Sequence, residues 1–143
     1  MSIAVLRTAD GWWVQTREGA VRVDTTATTT ADLLADRSAV DAAAAGGETV
    51  PVASLELVSP VTAPCRVVAQ MTNYVSHVKD SGMNPETVPL TFFRKSSGSI
   101  SGPTADIVKP AHVTLLDYEV EIGLVVGKTL PVGSTIDDST VSR

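Results

Sequence analysis

Three prolines, at positions 51, 60 and 64, fall within one short stretch that has no helical period. Each removes a backbone donor and fixes φ near −65°, so neither a helix nor a central strand can run through them. The stretch therefore reads as a linker or an edge segment, and it places a domain boundary near residue 60. The expected organisation is a small amino-terminal domain over residues 1–60 and the first part of a second domain over 61–143. A chain of 143 residues can bury a sizeable core in one compact domain, or in a small domain joined to part of another.

Before the prolines, Ser2 to Leu6, Trp12 to Thr16 and Ala20 to Val23 are short and rich in β-forming residues. Asp10-Gly11 and Glu18-Gly19 separate them as hairpin-type turn signals, which predicts a small antiparallel sheet. From Thr30, an N-cap candidate, the chain turns alanine-rich, with Leu33, Leu34, Val40 and Ala44 near helical spacing. Gly46-Gly47 should stop that helical stretch, so one or two helices follow the sheet.

After the prolines, Arg66 to Ala69 and Leu90 to Arg94 read as strands, with Asn73 to Asp80 a turn or short helix between them. The run SSGSISGPTADI matches neither GxxxxGK[ST] nor GxGxxG and reads as a crossing loop, not a nucleotide site. Residues Val113 to Val126 are the longest β-like run and close on Gly127-Lys128. Strands and helices in this order make an α+β chain.

Eleven Lys and Arg against sixteen Asp and Glu leave a net charge of −5. That argues against nucleic acid or an anionic membrane as a partner, and a small anionic substrate would need local positive charge or a metal. The single Cys65 has no internal disulfide partner, and a small buried apolar role suits it. The start MSIAVLRTADGWW lacks the form of a secretory leader, and no apolar run approaches the roughly 20 residues of a membrane helix. The expected location is the cytoplasm.

The chemistry concentrates in three places. On a strand, Asp117, Glu119 and Glu121 would share one face and Tyr118, Val120 and Ile122 the other. Same-face Cα atoms would lie about 6.6 to 6.8 Å apart, within reach of one cation, and oxygen-only donors favour Mg, Mn or Ca over Zn. A solvated acidic face is the alternative. The apolar run Leu124 to Val126 argues for burial, where unpaired carboxylates would need a counterion. His77 and Asp80, at i and i+3, would be neighbours on a helix, where a carboxylate can fix the imidazole tautomer and raise its basicity for activating water. A surface histidine with a chance acidic neighbour is the competing reading. Lys95, or Arg94 if the strand face were reversed, could anchor a substrate carboxylate, and His112 reads as a surface residue in a turn.

In order, SPVTAPCRVVAQMTNYVSHVKD, PLTFFRKSSGSISGP and DIVKPAHVTLLDYEVEIGLVVGK resemble the fumarylacetoacetate hydrolase family over residues 59–128. In that family an Asn-Tyr-x-x-His-x-x-Glu segment opens the catalytic domain, a Phe-x-Lys strand follows, and a Glu-x-Glu strand supplies two metal ligands, with an Asp further along as the third. The resemblance implies Glu119 and Glu121 as metal ligands, His77 and Asp80 as the water-activating pair, and Tyr74 and Lys95 beside the substrate. Asp117 would flank the ligands. Two departures stand out: Asp80 occupies the usual Glu position with a side chain one methylene shorter, and Met71-Thr72 replaces the Gly-Leu common before Asn73.

The resemblance further implies a small α/β domain followed by a mixed β-roll, commonly a homodimer. Its activity would be Mg- or Mn-dependent hydrolytic C–C cleavage of an acylpyruvate-like, 1,3-dioxo or 2-oxo acid substrate, with Ca as a further option for the ion. Decarboxylation, hydration or isomerisation of a 2-oxo acid on the same metal site is an alternative. So is a non-catalytic binding or assembly subunit that keeps the fold. The third acidic ligand would lie beyond Arg143, so the expectation is that the carboxy-terminal half comes from a second polypeptide or a longer precursor.

Overall fold

The computed structural model describes residues 3–138. The chain is mixed α+β, with two small sheets, three short α-helices and two 3-10 turns among the described residues. It divides into two compact units, one made of the residues up to Pro60 with those from Gly102 onward, the other of Val61–Ser101. The expected span 61–143 therefore falls in both units, and residues 139–143 lie outside the described ones.

The first unit is built on strands β1 (Ala4–Thr8), β2 (Gly11–Gln15), β3 (Ala20–Arg22) and β4 (Thr49–Val50), antiparallel in the order β1-β2-β3-β4. Thr8 pairs with Gly11, so Ala9 and Asp10 form the turn and Gly11 already belongs to β2. Gln15 pairs with Ala20, and the Thr16 N–H donates to the Gly19 carbonyl at 2.7 Å to close the second hairpin. Gly19 is irreplaceable on two counts: its φ is +151°, and a Cβ there would lie 2.5 Å from the Val50 carbonyl oxygen of β4.

Alternation along β2 separates its two indoles. Trp12 and Val14 are buried and join Val21, Val23, Leu33, Val40 and Ala43 in the core. The Trp12 Nε1–H donates to the Ala27 carbonyl at 2.8 Å, so the ring is buried without stranding its polar atom. Trp13 points the other way, where its Nε1–H donates to Thr8 Oγ1 at 3.0 Å and the Arg22 guanidinium lies 5.3 Å from its ring centre. Arg22 also meets Asp10 at 3.1 Å. Hydrogen bonds from Thr8 and then from Arg22 lower the Asp10 pKa below the ordinary carboxylate value.

Helices α1 (Thr30–Ala35) and α2 (Ser38–Ala44) supply the other core wall through Leu33, Val40 and Ala43, and α2 packs on β2 and β3. The N-cap of α1 is Thr29, one residue earlier than expected: its hydroxyl oxygen accepts from the Asp32 N–H at 3.1 Å. Thr30 is the first helical residue, and its hydroxyl donates instead to the Pro60 carbonyl at 2.6 Å. Gly46, at φ +128°, follows the end of α2, as its position requires. The proline-bearing stretch edges the sheet, with Val58 bridging Arg7 of β1 and its N–H donating to the Arg7 carbonyl at 2.9 Å.

The second unit is a two-stranded antiparallel ribbon of β5 (Val67–Met71) and β6 (Thr91–Lys95), with helix α3 (Val75–Asp80) between them in sequence. Val78 is its one buried residue on α3. Large apolar side chains remain open on both ribbon faces: Val68 and Phe92 on one, Met71 and Phe93 on the other.

Residues 113–126 correct the expectation of a strand: they form no ladder, and Val120 and Leu124 are each 87% exposed. A strand needs a neighbour for its N–H and C=O groups, and among the described residues this run has none. The burial inferred from Leu124 to Val126 fails with it. No helix among the described residues is long and apolar enough to cross a membrane.

Gly19→Ala should destabilise the chain by about 1–3 kcal/mol, read as a lower urea midpoint. Because the folded Asp10 pKa is lowered, its stabilisation is full above the ordinary carboxylate value and is lost as pH falls through the lowered one. Asp10→Asn should therefore flatten the decline of the unfolding midpoint as pH falls through and below the ordinary carboxylate range; an unchanged acid limb would refute that assignment.

Candidate active site

Four of the six candidate residues lie in the second unit. Tyr74 is the N-cap of α3 and contributes no side-chain cap; it is 41% exposed. His77 and Asp80 follow on α3 at i and i+3, both exposed. No hydrogen bond or ion pair joins these two side chains among the described residues, although the Ser81 N–H and hydroxyl each donate to the His77 carbonyl at 3.0 Å. The helix thus brings the pair together in sequence spacing without forming the dyad.

Lys95 ends β6, with its Nζ 5.6 Å from the Phe93 ring centre. The register pairs Lys95 with Val67 and Thr91 with Met71, so Lys95 shares a ribbon face with Phe93 and Met71, and Arg94 shares the opposite one with Phe92 and Gln70. It also puts Lys95 at the far end of the ribbon from the corner that leads to Tyr74. Four residues of strand separate them, roughly 13 Å.

That corner holds the feature that pattern reading missed. Thr72, between β5 and α3, has φ +55°, and its Oγ1 is shielded from solvent with no hydrogen-bond partner. A β-branched residue in the left-handed region costs on the order of 1–3 kcal/mol, and an orphaned hydroxyl adds to that cost. Across it, the Gln70 Nε2–H donates to Asn73 Oδ1 at 2.8 Å. A threonine reads locally as strand, so only the chain's reversal exposes the strain.

Glu119 and Glu121 lie in the first unit, in the run without a ladder, and both are exposed. Asp117 turns its Oδ1 onto the Tyr118 N–H at 2.9 Å, a local bond that occupies one of its oxygens. His112 lies in a turn and is exposed, and Cys65 is half-buried. No group of three or more His, Cys, Asp or Glu side chains able to hold a metal assembles among the described residues. The two glutamates match a hard cation in chemistry, since Mg and Mn take carboxylate oxygens. They fall short in number: one oxygen from each leaves roughly four positions of an octahedral shell to water, substrate or other residues.

The family model described as fumarylacetoacetate (FAA) hydrolase C-terminal matches residues 66–139, more than half of the chain and a span that contains all six candidates. The chain belongs to the fumarylacetoacetate hydrolase family. Its relatives include a human mitochondrial oxaloacetate tautomerase, 36% identical over 79 residues, which is 55% of this chain and 25% of that protein. A 2,4-didehydro-3-deoxy-L-rhamnonate hydrolase from Sphingomonas sp. (strain SKA58) is 38% identical over 95 residues, 62% of this chain and 32% of that protein. An uncharacterised protein of Staphylococcus aureus (strain USA300) is 38% identical over 76 residues, 52% of this chain and 25% of that protein. The chain thus spans between a quarter and a third of the length of these relatives. No solved structure matches it.

Hydrogen exchange tests the contrast between ladder and open run. Backbone amides from Leu115 to Val126 should exchange near the unprotected rate, except Tyr118, while those paired between β5 and β6 are slowed. Strong protection across 115–126 in the isolated chain would contradict the open run.

Proposed function

We propose that this chain is the metal-ligand-bearing part of an FAH-family enzyme that acts on 2-oxo acids, its favoured reaction being hydrolytic C–C cleavage of an acylpyruvate-like or 1,3-dioxo substrate. The observation that carries the reading is that one family match spans Tyr74, His77, Asp80, Lys95, Glu119 and Glu121 in order. Two relatives with named activities, a tautomerase and a hydrolase, support enzyme chemistry on oxo acids. The proposed arrangement is a small α/β domain followed by a mixed β-roll, whose carboxy-terminal half is supplied by a longer precursor or a second polypeptide. The full unit is proposed to be a cytoplasmic homodimer.

In this reading Glu119 and Glu121 hold Mg or Mn. Held there, such an ion would supply electrostatic stabilisation of developing negative charge. His77 takes a proton from water at an imidazole nitrogen, and Asp80 orients the ring once the two side chains meet. Lys95 offers a positive charge to the substrate carboxylate, and Tyr74 offers its hydroxyl.

A second reading, keto–enol isomerisation of a 2-oxo acid, is favoured by the relative named as an oxaloacetate tautomerase. Isomerisation relocates one proton on the substrate and needs no activated water. Glu119→Ala should abolish both Mg-dependent thermal stabilisation and acylpyruvate cleavage by the complete assembly. Unchanged behaviour in both would overturn the metal-enzyme reading and favour a non-catalytic subunit. His77→Gln then separates the two reactions: loss of cleavage with oxaloacetate tautomerisation retained supports hydrolysis through His77.

A further inference from the structure

The corner between β5 and α3 fixes an amide that the six candidates do not include. Gln70 and Asn73 sit either side of the Met71-Thr72 reversal, and the Gln70 Nε2–H donates to Asn73 Oδ1 at 2.8 Å. An amide whose oxygen already accepts one bond still has both N–H groups to offer a ligand. Neither Nδ2 hydrogen of Asn73 has a partner among the described residues, and the side chain is exposed. The Tyr74 hydroxyl beside it is likewise without a partner and exposed. The corner thus presents neutral donors in a chain of net charge −5, where an incoming anion meets few attractive groups.

The left-handed residue Thr72 lies within the four-residue segment that the Gln70–Asn73 bond spans. A strained, β-branched corner with a shielded and unsatisfied hydroxyl is a conformation that persists where the surrounding structure uses it. Here it adjoins an amide held in one direction. From these observations we infer that Asn73 is a substrate-binding residue whose Nδ2 donates to the carboxylate or keto oxygen of a small 2-oxo acid, with Gln70 and the Thr72 turn as positioning elements. The inference rests on the function proposed above, and it adds a donor at the end of the ribbon opposite Lys95.

Pyruvate serves as the probe, titrated with Mg present into the complete assembly in which this chain is ¹⁵N-labelled. The Asn73 side-chain NH₂ pair should shift as pyruvate binds. Asn73→Asp keeps an acceptor for Gln70 but has no donor, and it should weaken pyruvate binding at least tenfold with Mg-dependent stabilisation unchanged. Gln70→Leu frees the amide to rotate; it should weaken binding several-fold and move the Asn73 NH₂ signals before any ligand is added. Thr72→Gly should raise the thermal midpoint yet weaken pyruvate binding. If the unaltered assembly binds pyruvate but its Asn73 NH₂ pair stays unmoved at saturation, the inference falls and the functional reading stands, whether or not the variants fold. If the unaltered assembly binds no pyruvate with Mg present, both fall.

Discussion

A β-strand cannot satisfy its own backbone, and this one requirement sorts the chain into parts that are settled and parts that are not. In the first unit each of the four strands has a neighbour, and Val58 covers part of the β1 edge. Two helices then close one face over Trp12, Val14 and Val21. In the second unit β5 and β6 pair with each other and with no other strand among the described residues. Residues 113–126 have no ladder partner among the described residues, whatever their propensity. Propensity proposes a strand, but pairing makes one.

Where pairing is complete, side-chain chemistry follows the alternation it imposes. Trp12 and Trp13 are adjacent and chemically identical, yet one anchors the core through the Ala27 carbonyl while the other forms a surface platform for Arg22. Asp10 completes that platform, so the first hairpin turn, the charge pair and the indole act as one local assembly. The same alternation in the ribbon separates Lys95 from Arg94, leaving Lys95 against Phe93.

Much of this was legible in the residues. Asp10-Gly11 and Glu18-Gly19 marked the hairpins, and Gly46-Gly47 the end of α2. The α1 cap was misplaced by one because Thr29 and Thr30 are both capping residues, and only the backbone at Thr29 is extended. The acidic strand was misread because its period was sound while its partner was assumed. The family was legible from three ordered motifs. The geometry of its site was not: spacing gave His77 and Asp80 neighbouring positions but no bond, and nothing in a threonine announces a left-handed corner.

The ribbon carries a consequence for how such a chain behaves in bulk. Phe92 and Val68 on one face, with Phe93 and Met71 on the other, leave a two-stranded sheet apolar on both sides and, among the described residues, unpaired at both edges. Copies could stack or extend one another edge to edge, and the charge of −5 is the main force holding them apart. Salt screens that repulsion and leaves the apolar attraction intact. Solubility should therefore be governed by ionic strength and concentration sooner than by temperature, with dilute, low-salt solution the gentlest medium.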